Sequence, residues 1–200
     1  MSPVPRRSRA RTAPTGHDGW VESLRGQLLI AGGGLWDPNF RRTVVLVGEH
    51  DDEGAVGVVI NRPSPVPVAE AVPPLEAIAG PGQPIFVGGP VQPQAVVVLA
   101  EFDDTERAGR LVMGSIGFLP ERTDGETAAG ILRARVFAGY AGWGPGQLEH
   151  ELEEGSWIVE PALPEDLFSA EPEALWSAVL RRKGGEFTTL ALMPLDPSLN

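Results

Sequence analysis

Apolar positions along the chain fall into short blocks separated by glycine, proline and acidic residues. Thr43 to Val47 is an unbroken run of β-branched and aliphatic residues, and Val56 to Ile60 repeats it after Asp51-Asp52-Glu53-Gly54. Two such runs around a short acidic glycine turn predict an antiparallel hairpin. Val21 to Ala31 is the first structural stretch and ends in Leu28-Leu29-Ile30. Ile85 to Val87 and Ala95 to Leu99, separated by Gly88-Gly89-Pro90, read as further strands, as do Ile131 to Tyr140, which alternates, and Trp157 to Val159. Val68, Val72, Leu75 and Ile78 keep helical spacing, but Pro73-Pro74 must split that helix. Gln147 to Glu154 predicts a short helix opened near Pro145 and closed by Gly155. Pro164 to Phe168 and Glu173 to Lys183 are helical, the second with Leu175, Trp176, Val179 and Leu180 on one stripe. Asp103 to Gly125 is turn-rich and acidic, interrupted by Leu111-Val112-Met113. Strands and helices mix without regular βαβ alternation. The predicted fold class is therefore α+β, a single compact domain around a large mixed, mainly antiparallel β-sheet with flanking short helices.

Composition narrows the class of molecule. The chain has 200 residues, enough to bury a core without staples, and no cysteine, which excludes disulfides, thiolate catalysis and zinc–thiolate sites. The net charge of −11 is uneven: Arg6, Arg7, Arg9 and Arg11 precede the first acid, Asp18, and residues 18–200 sum to −15. So acidic a body repels phosphate backbones and anionic membranes, so neither nucleic acid nor a membrane is an expected partner. Residues 1–19 hold arginines and prolines but almost no large apolar side chain, and are expected to be a disordered basic tail ahead of one domain, 20–200. No apolar h-region follows Arg6-Arg7, Pro3, Pro5 and Pro14 oppose an amphipathic transit helix, and no window approaches a membrane span, so the expected location is the cytoplasm.

Familiar catalytic motifs are incomplete. Gly32-Gly33-Gly34 follows an apolar run, but a dinucleotide fingerprint would need a third glycine where Asp37 stands and a helix where Pro38 stands. Lys183 is the only lysine, so there is no Walker loop, and Met113-Gly114-Ser115-Ile116-Gly117 lacks the first glycine of a nucleophile elbow. His17, His50 and His150 lack metal-pair spacing. No cofactor is expected: no flavin, nucleotide or transition metal. Glu49 to Glu53 reads as a solvated hairpin tip; its alternative is His50 held by Glu49 or Asp51 as a general base. Asn61-Arg62-Pro63 ends a strand, where Asn61 and Pro63 make a turn and Arg62 either pairs with a surface acid or grips an anionic ligand or a partner's carboxylate. Gly139 to Glu149 gathers four glycines, Tyr140 and Trp143 ahead of Gln147 and reads as a tight turn or a recognition loop.

Five blocks taken together, Leu35 to Phe40, Arg42 to Val45, Gly57 to Pro63, Gly88 to Val91 and Gly139 to Glu149, resemble the AlgH/YqgE family of bacterial proteins over about residues 25–160. The resemblance implies an α+β fold around a large mixed sheet and a link to alginate regulation, and it brings no catalytic residue with it. Gly32-Gly33-Gly34, Gly117 to Gly130 and the arginine-rich tail depart from the family pattern. The leading expectation is a non-catalytic binding or regulatory protein that engages an unknown protein or small-molecule ligand through Asn61, Arg62, Tyr140, Trp143 and Gln147. The alternative is a small-molecule hydrolase built on His50 and a nearby carboxylate.

Overall fold

Strand Gln27–Ala31 (β1), buried from Leu28 onward, shows how the molecule is layered. Leu28 and Ile30 point into one core and Leu29 and Ala31 into another, so a strand with no polar face must lie in a sheet covered on both sides. In this computed structural model, which describes residues 23–120 and 128–193, the chain continues through β2 (Val44–Asp51), β3 (Gly54–Val59), β4 (Pro63–Pro67), helices α1 (Val68–Ala71) and α2 (Glu76–Ala79), β5 (Pro84–Val87), β6 (Val91–Phe102), β7 (Arg110–Met113), β8 (Ile116–Phe118), β9 (Ile131–Trp143), α3 (Gln147–Glu153), β10 (Trp157–Pro161), α4 (Pro164–Leu167), α5 (Leu175–Lys183) and α6 (Phe187–Leu190). The expected tail, residues 1–19, lies outside the described residues.

Among the described residues ten strands form one sheet in the order β10-β1-β2-β3-β9-β6-β8-β7, with β5 beside β9 and β4 beside β5. The pairings are antiparallel except β5 with β9, which bears out the α+β, mainly antiparallel expectation. On one face α4, α5 and α6 cover Leu28, Ile30 and Leu46, and Trp176 donates its indole N–H to the Ala31 carbonyl at 2.9 Å. On that same face the far end of the sheet curls over until β7 meets β2, where Arg110 pairs with Glu49. The opposite face of β1, β2 and β3 lies under Trp143, Leu148, Trp157 and the loop that carries Leu35 and Phe40.

The predicted hairpin is β2–β3, and the two prolines split the predicted helix into α1, a 3-10 turn and α2. Three elements differ. Strand β9 runs on to Trp143, so Tyr140 and Trp143 belong to a strand and only residues 144–146 turn. Strand β6 is 12 residues long because it pairs with the comparably long β9 from Val91 to Phe102, with β8 on its other edge at Leu99 to Glu101. Strand β4 has prolines at 63, 65 and 67, which remove donors but leave acceptors and fit it for a peripheral place beside β5.

Candidate functional site

The loop between β1 and β2 has no regular structure, yet its turn is closed by its own hydrogen bonds. Asp37 accepts the Asn39 amide on its own carboxylate, at 2.7 Å, and the amides of Phe40 and Arg41 on its carbonyl. The Thr43 hydroxyl donates to the Phe40 carbonyl at 2.7 Å. Arg62 reaches the loop from the end of β3, donating to the carbonyls of Asn39 (2.7 Å), Pro38 (3.0 Å) and Arg41 (3.1 Å). Burial lowers the guanidinium's pKa from its ordinary value, with Asp37 partly opposing. Asn61 is buried beside it. Its amide donates to the Arg42 carbonyl at 3.0 Å and its carbonyl accepts the Val44 amide at 2.8 Å. These two bonds bracket Thr43 and fix the chain on the C-terminal side of Arg42, whose φ of 56° is unfavourable for a residue with a side chain.

The same loop is held from the other face. The Phe40 ring lies 6.3 Å from Trp143 and 5.5 Å edge-on to Trp157, and the two indoles cross at 5.8 Å. Both indole N–H groups donate to one oxygen of Glu151 at 2.8 Å, and Gln147 donates to the other oxygen at 2.8 Å. Gln147 also accepts the Gly144 amide, closing the 144–146 turn onto α3.

Each residue expected to bind a partner therefore has an internal task. Trp143 is only 6% exposed and serves the core. Asn61 and Arg62 grip their own backbone. Among the described residues Arg62 forms no ion pair with a surface acid; it donates instead to three backbone carbonyls. Tyr140 is half-buried against the core, and Gln147 braces Glu151. What Asn61, Arg62 and Trp143 jointly hold is the 36–42 loop. That loop presents Trp36, 58% exposed, with the Arg41 guanidinium 5.5 Å from its ring centre. Neighbouring Arg42 stacks on Trp176 at 4.1 Å and donates to the Met193 carbonyl. Trp36 and Arg41 went unseen as a site in the sequence. The available signal was Asp37-Pro38-Asn39, a turn placed directly after a tryptophan.

The hairpin tip also needs correction. His50 is not solvated: its side chain is 1% exposed. Its Nδ1 accepts the Leu24 amide at 3.0 Å, so that nitrogen carries the lone pair, and Nε2–H donates to Glu149 at 2.7 Å. Glu49 and Asp51 are not its partners, since strand neighbours point to the opposite face. Glu49 pairs with Arg110, and Asp51 accepts the Glu53 amide. Burial pushes the Glu149 carboxyl up. Its backbone and His50 hydrogen bonds outweigh this and leave it below 4.5. Among the described residues no three His, Asp or Glu gather as metal ligands, and no helix is long and apolar enough to cross a membrane.

Against this geometry the comparisons with known proteins are direct. The AlgH-like family model matches residues 28–188. The chain belongs to the AlgH-like family. A UPF0301 protein of Streptomyces coelicolor is 47% identical, with 90% of this chain and 97% of that protein aligned. One from Thermobifida fusca is 42% identical, over 89% and 96%. The solution structure of the AlgH protein from Pseudomonas aeruginosa superposes with a TM-score of 0.63 at 33% identity, covering 93% of this chain and 98% of that one. A crystal structure of a Corynebacterium diphtheriae protein gives 0.76 at 28% identity, over 84% and 91%. The biochemical function of this family is unsettled.

Proposed function

We infer that this AlgH-like protein is a non-catalytic, regulatory binding protein that recognises an acidic segment of a partner protein through Trp36 and Arg41. The observation that carries the reading is the exposed Trp36 on a loop held by Asn61, Arg62 and the Phe40–Trp143–Trp157 cluster. A large apolar ring held out on a pre-ordered loop loses little further entropy on binding, and tryptophan is enriched among interface anchors. Charge supports an acidic partner, because Arg41, Arg42 and Arg62 surround this loop in a chain whose net charge is −11. Size supports a macromolecule: the cleft beside Trp36, lined by Gly33, Arg42 and Trp176, holds about 20 Å³, roughly one water. The hydrolase alternative finds no support in His50, whose only lone-pair nitrogen is already taken by the Leu24 amide.

A photo-crosslinking residue at position 36 tests the reading, with the same residue at exposed Leu132 as control. A protein captured at 36 but not at 132, and joined through a segment rich in Asp or Glu, is the expected result. Equal capture at both positions, or attachment to a basic segment, rejects it.

A further inference from the structure

The curl that brings β7 back to β2 leaves an opening above the core. Between the β2–β3 and β7–β8 hairpins lies a cup of about 420 Å³, within the roughly 300–1,000 Å³ of sites that hold small molecules. Val56, Val58, Val97, Phe118, Leu119 and Pro120 give it an apolar lining. Val56 belongs to the same strand face as buried Val58 and Ile60, yet it is 42% exposed because the cup stands open over it. Gly48 lies at the bulge where β2 bends, and a side chain there would run into Phe118. Two charged side chains line the cup, Glu49 and Arg110. They are paired across the seam and take no part in the loop that presents Trp36.

An apolar cup with one ion pair at its rim has the make-up of a site for a small amphipathic molecule. The local charge decides which sign of head group it takes. Residues 49–53 carry four carboxylates, Glu49, Asp51, Asp52 and Glu53, of which Glu49 lines the cup together with Arg110 while the other three follow it in the β2–β3 turn. A cation entering the cup gains Glu49 as counter-ion and the field of the other three. Either head group must part Glu49 from Arg110, so the three further carboxylates decide the sign: they attract a cation and repel an anion. Releasing Arg110 costs little, because both partners of this pair are substantially exposed and such pairs are weak. We propose that the cup binds a small amphipathic cation, an amine or amidine on an apolar body, with the body against Val56, Val58, Val97 and Phe118 and the head on Glu49.

The full chain, with valine methyls labelled, is titrated with octylammonium, octanoate and octanol and followed by NMR. Octylammonium is expected to shift the methyls of Val56, Val58 and Val97 and to bind most tightly of the three. Glu49→Gln, a surface change, should weaken it about tenfold, a typical loss for a charge-assisted contact. Val56→Trp should fill the cup and abolish the shifts, with the Val45 and Val59 methyls on the other face reporting an intact fold. Octanoate binding as well as octylammonium, octanol doing the same, an unchanged affinity in Glu49→Gln, or shifts that leave the cup untouched would each overturn the proposal.

Discussion

At the scale of single residues, Trp143 and Trp36 are used in opposite ways. Trp143 is buried against Phe40 and Trp157, with its N–H on Glu151. Trp143→Ala leaves a cavity and a carboxylate short of one donor, and should cost about 3–5 kcal/mol in urea denaturation. Trp36→Ala removes an exposed ring and should change stability within about 0.5 kcal/mol. Equal losses would mean that Trp36 is part of the core. Glu149 gives a pH signature. Its folded-state pKa lies below 4.5, so its stabilising effect is present above the unfolded value and is lost as pH falls through the folded one. Glu149→Gln keeps an acceptor for His50 Nε2–H but drops the charge. Its urea midpoint should therefore trail the wild type near neutrality and approach it as pH falls below about 4.5. A gap that does not change with pH would assign the loss to packing.

At the scale of elements, the 36–42 loop behaves as a rigid part because Arg62 supplies several donors in a fixed plane. Lysine has the charge without the fork, so Arg62→Lys should not rescue the loop. Arg62→Ala and Arg62→Lys should both lower stability, by about 2 kcal/mol, the scale of lost bonds to a charged group. Both should also raise amide hydrogen exchange at Phe40, Arg41 and Thr43. Full protection in Arg62→Lys would show that charge alone holds the loop. This is also where the sequence stopped being readable. The β2–β3 hairpin was legible because its apolar runs and its acidic glycine turn are adjacent in the chain. Asn61, Arg62 and Trp143 stood out by residue type, but what they do depends on partners elsewhere: Arg62 bonds the backbone 21 to 24 residues away, and His50 meets Glu149 across 99 residues. Carbonyl acceptors leave no trace in a sequence, so an arginine that holds a loop looks the same as one that waits for a ligand. Strand β4 was hidden for a related reason, since three prolines in five residues argue against any strand except a peripheral one.

At the scale of the whole molecule, the sheet can curl only if β2 bends and Phe118 finds room, and Gly48 serves both needs. It lies where the β2–β3 register shifts between Val47 and Glu49, and a bulge of this kind increases local twist and bends a strand. It also lies under the Phe118 ring, where a Cβ would collide. Gly48→Ala should therefore act as an overpacking change and destabilise by about 1–3 kcal/mol. Gly34 is a control, since a Cβ added there meets nothing within 4 Å; Gly34→Ala should stay within about 0.5 kcal/mol. The collision has a specific partner, which makes the account testable beyond a simple loss of stability. Shortening that partner with Phe118→Leu removes favourable packing in the wild type but relieves the clash in Gly48→Ala. Urea denaturation of the four proteins in this cycle should show coupling of at least about 0.5 kcal/mol, with the double variant more stable than the two single losses added together. Simple additivity would mean that the backbone bend at Gly48, rather than room for Phe118, is what the glycine supplies. Substitution there would then alter the curl of the sheet whatever residue stands at 118.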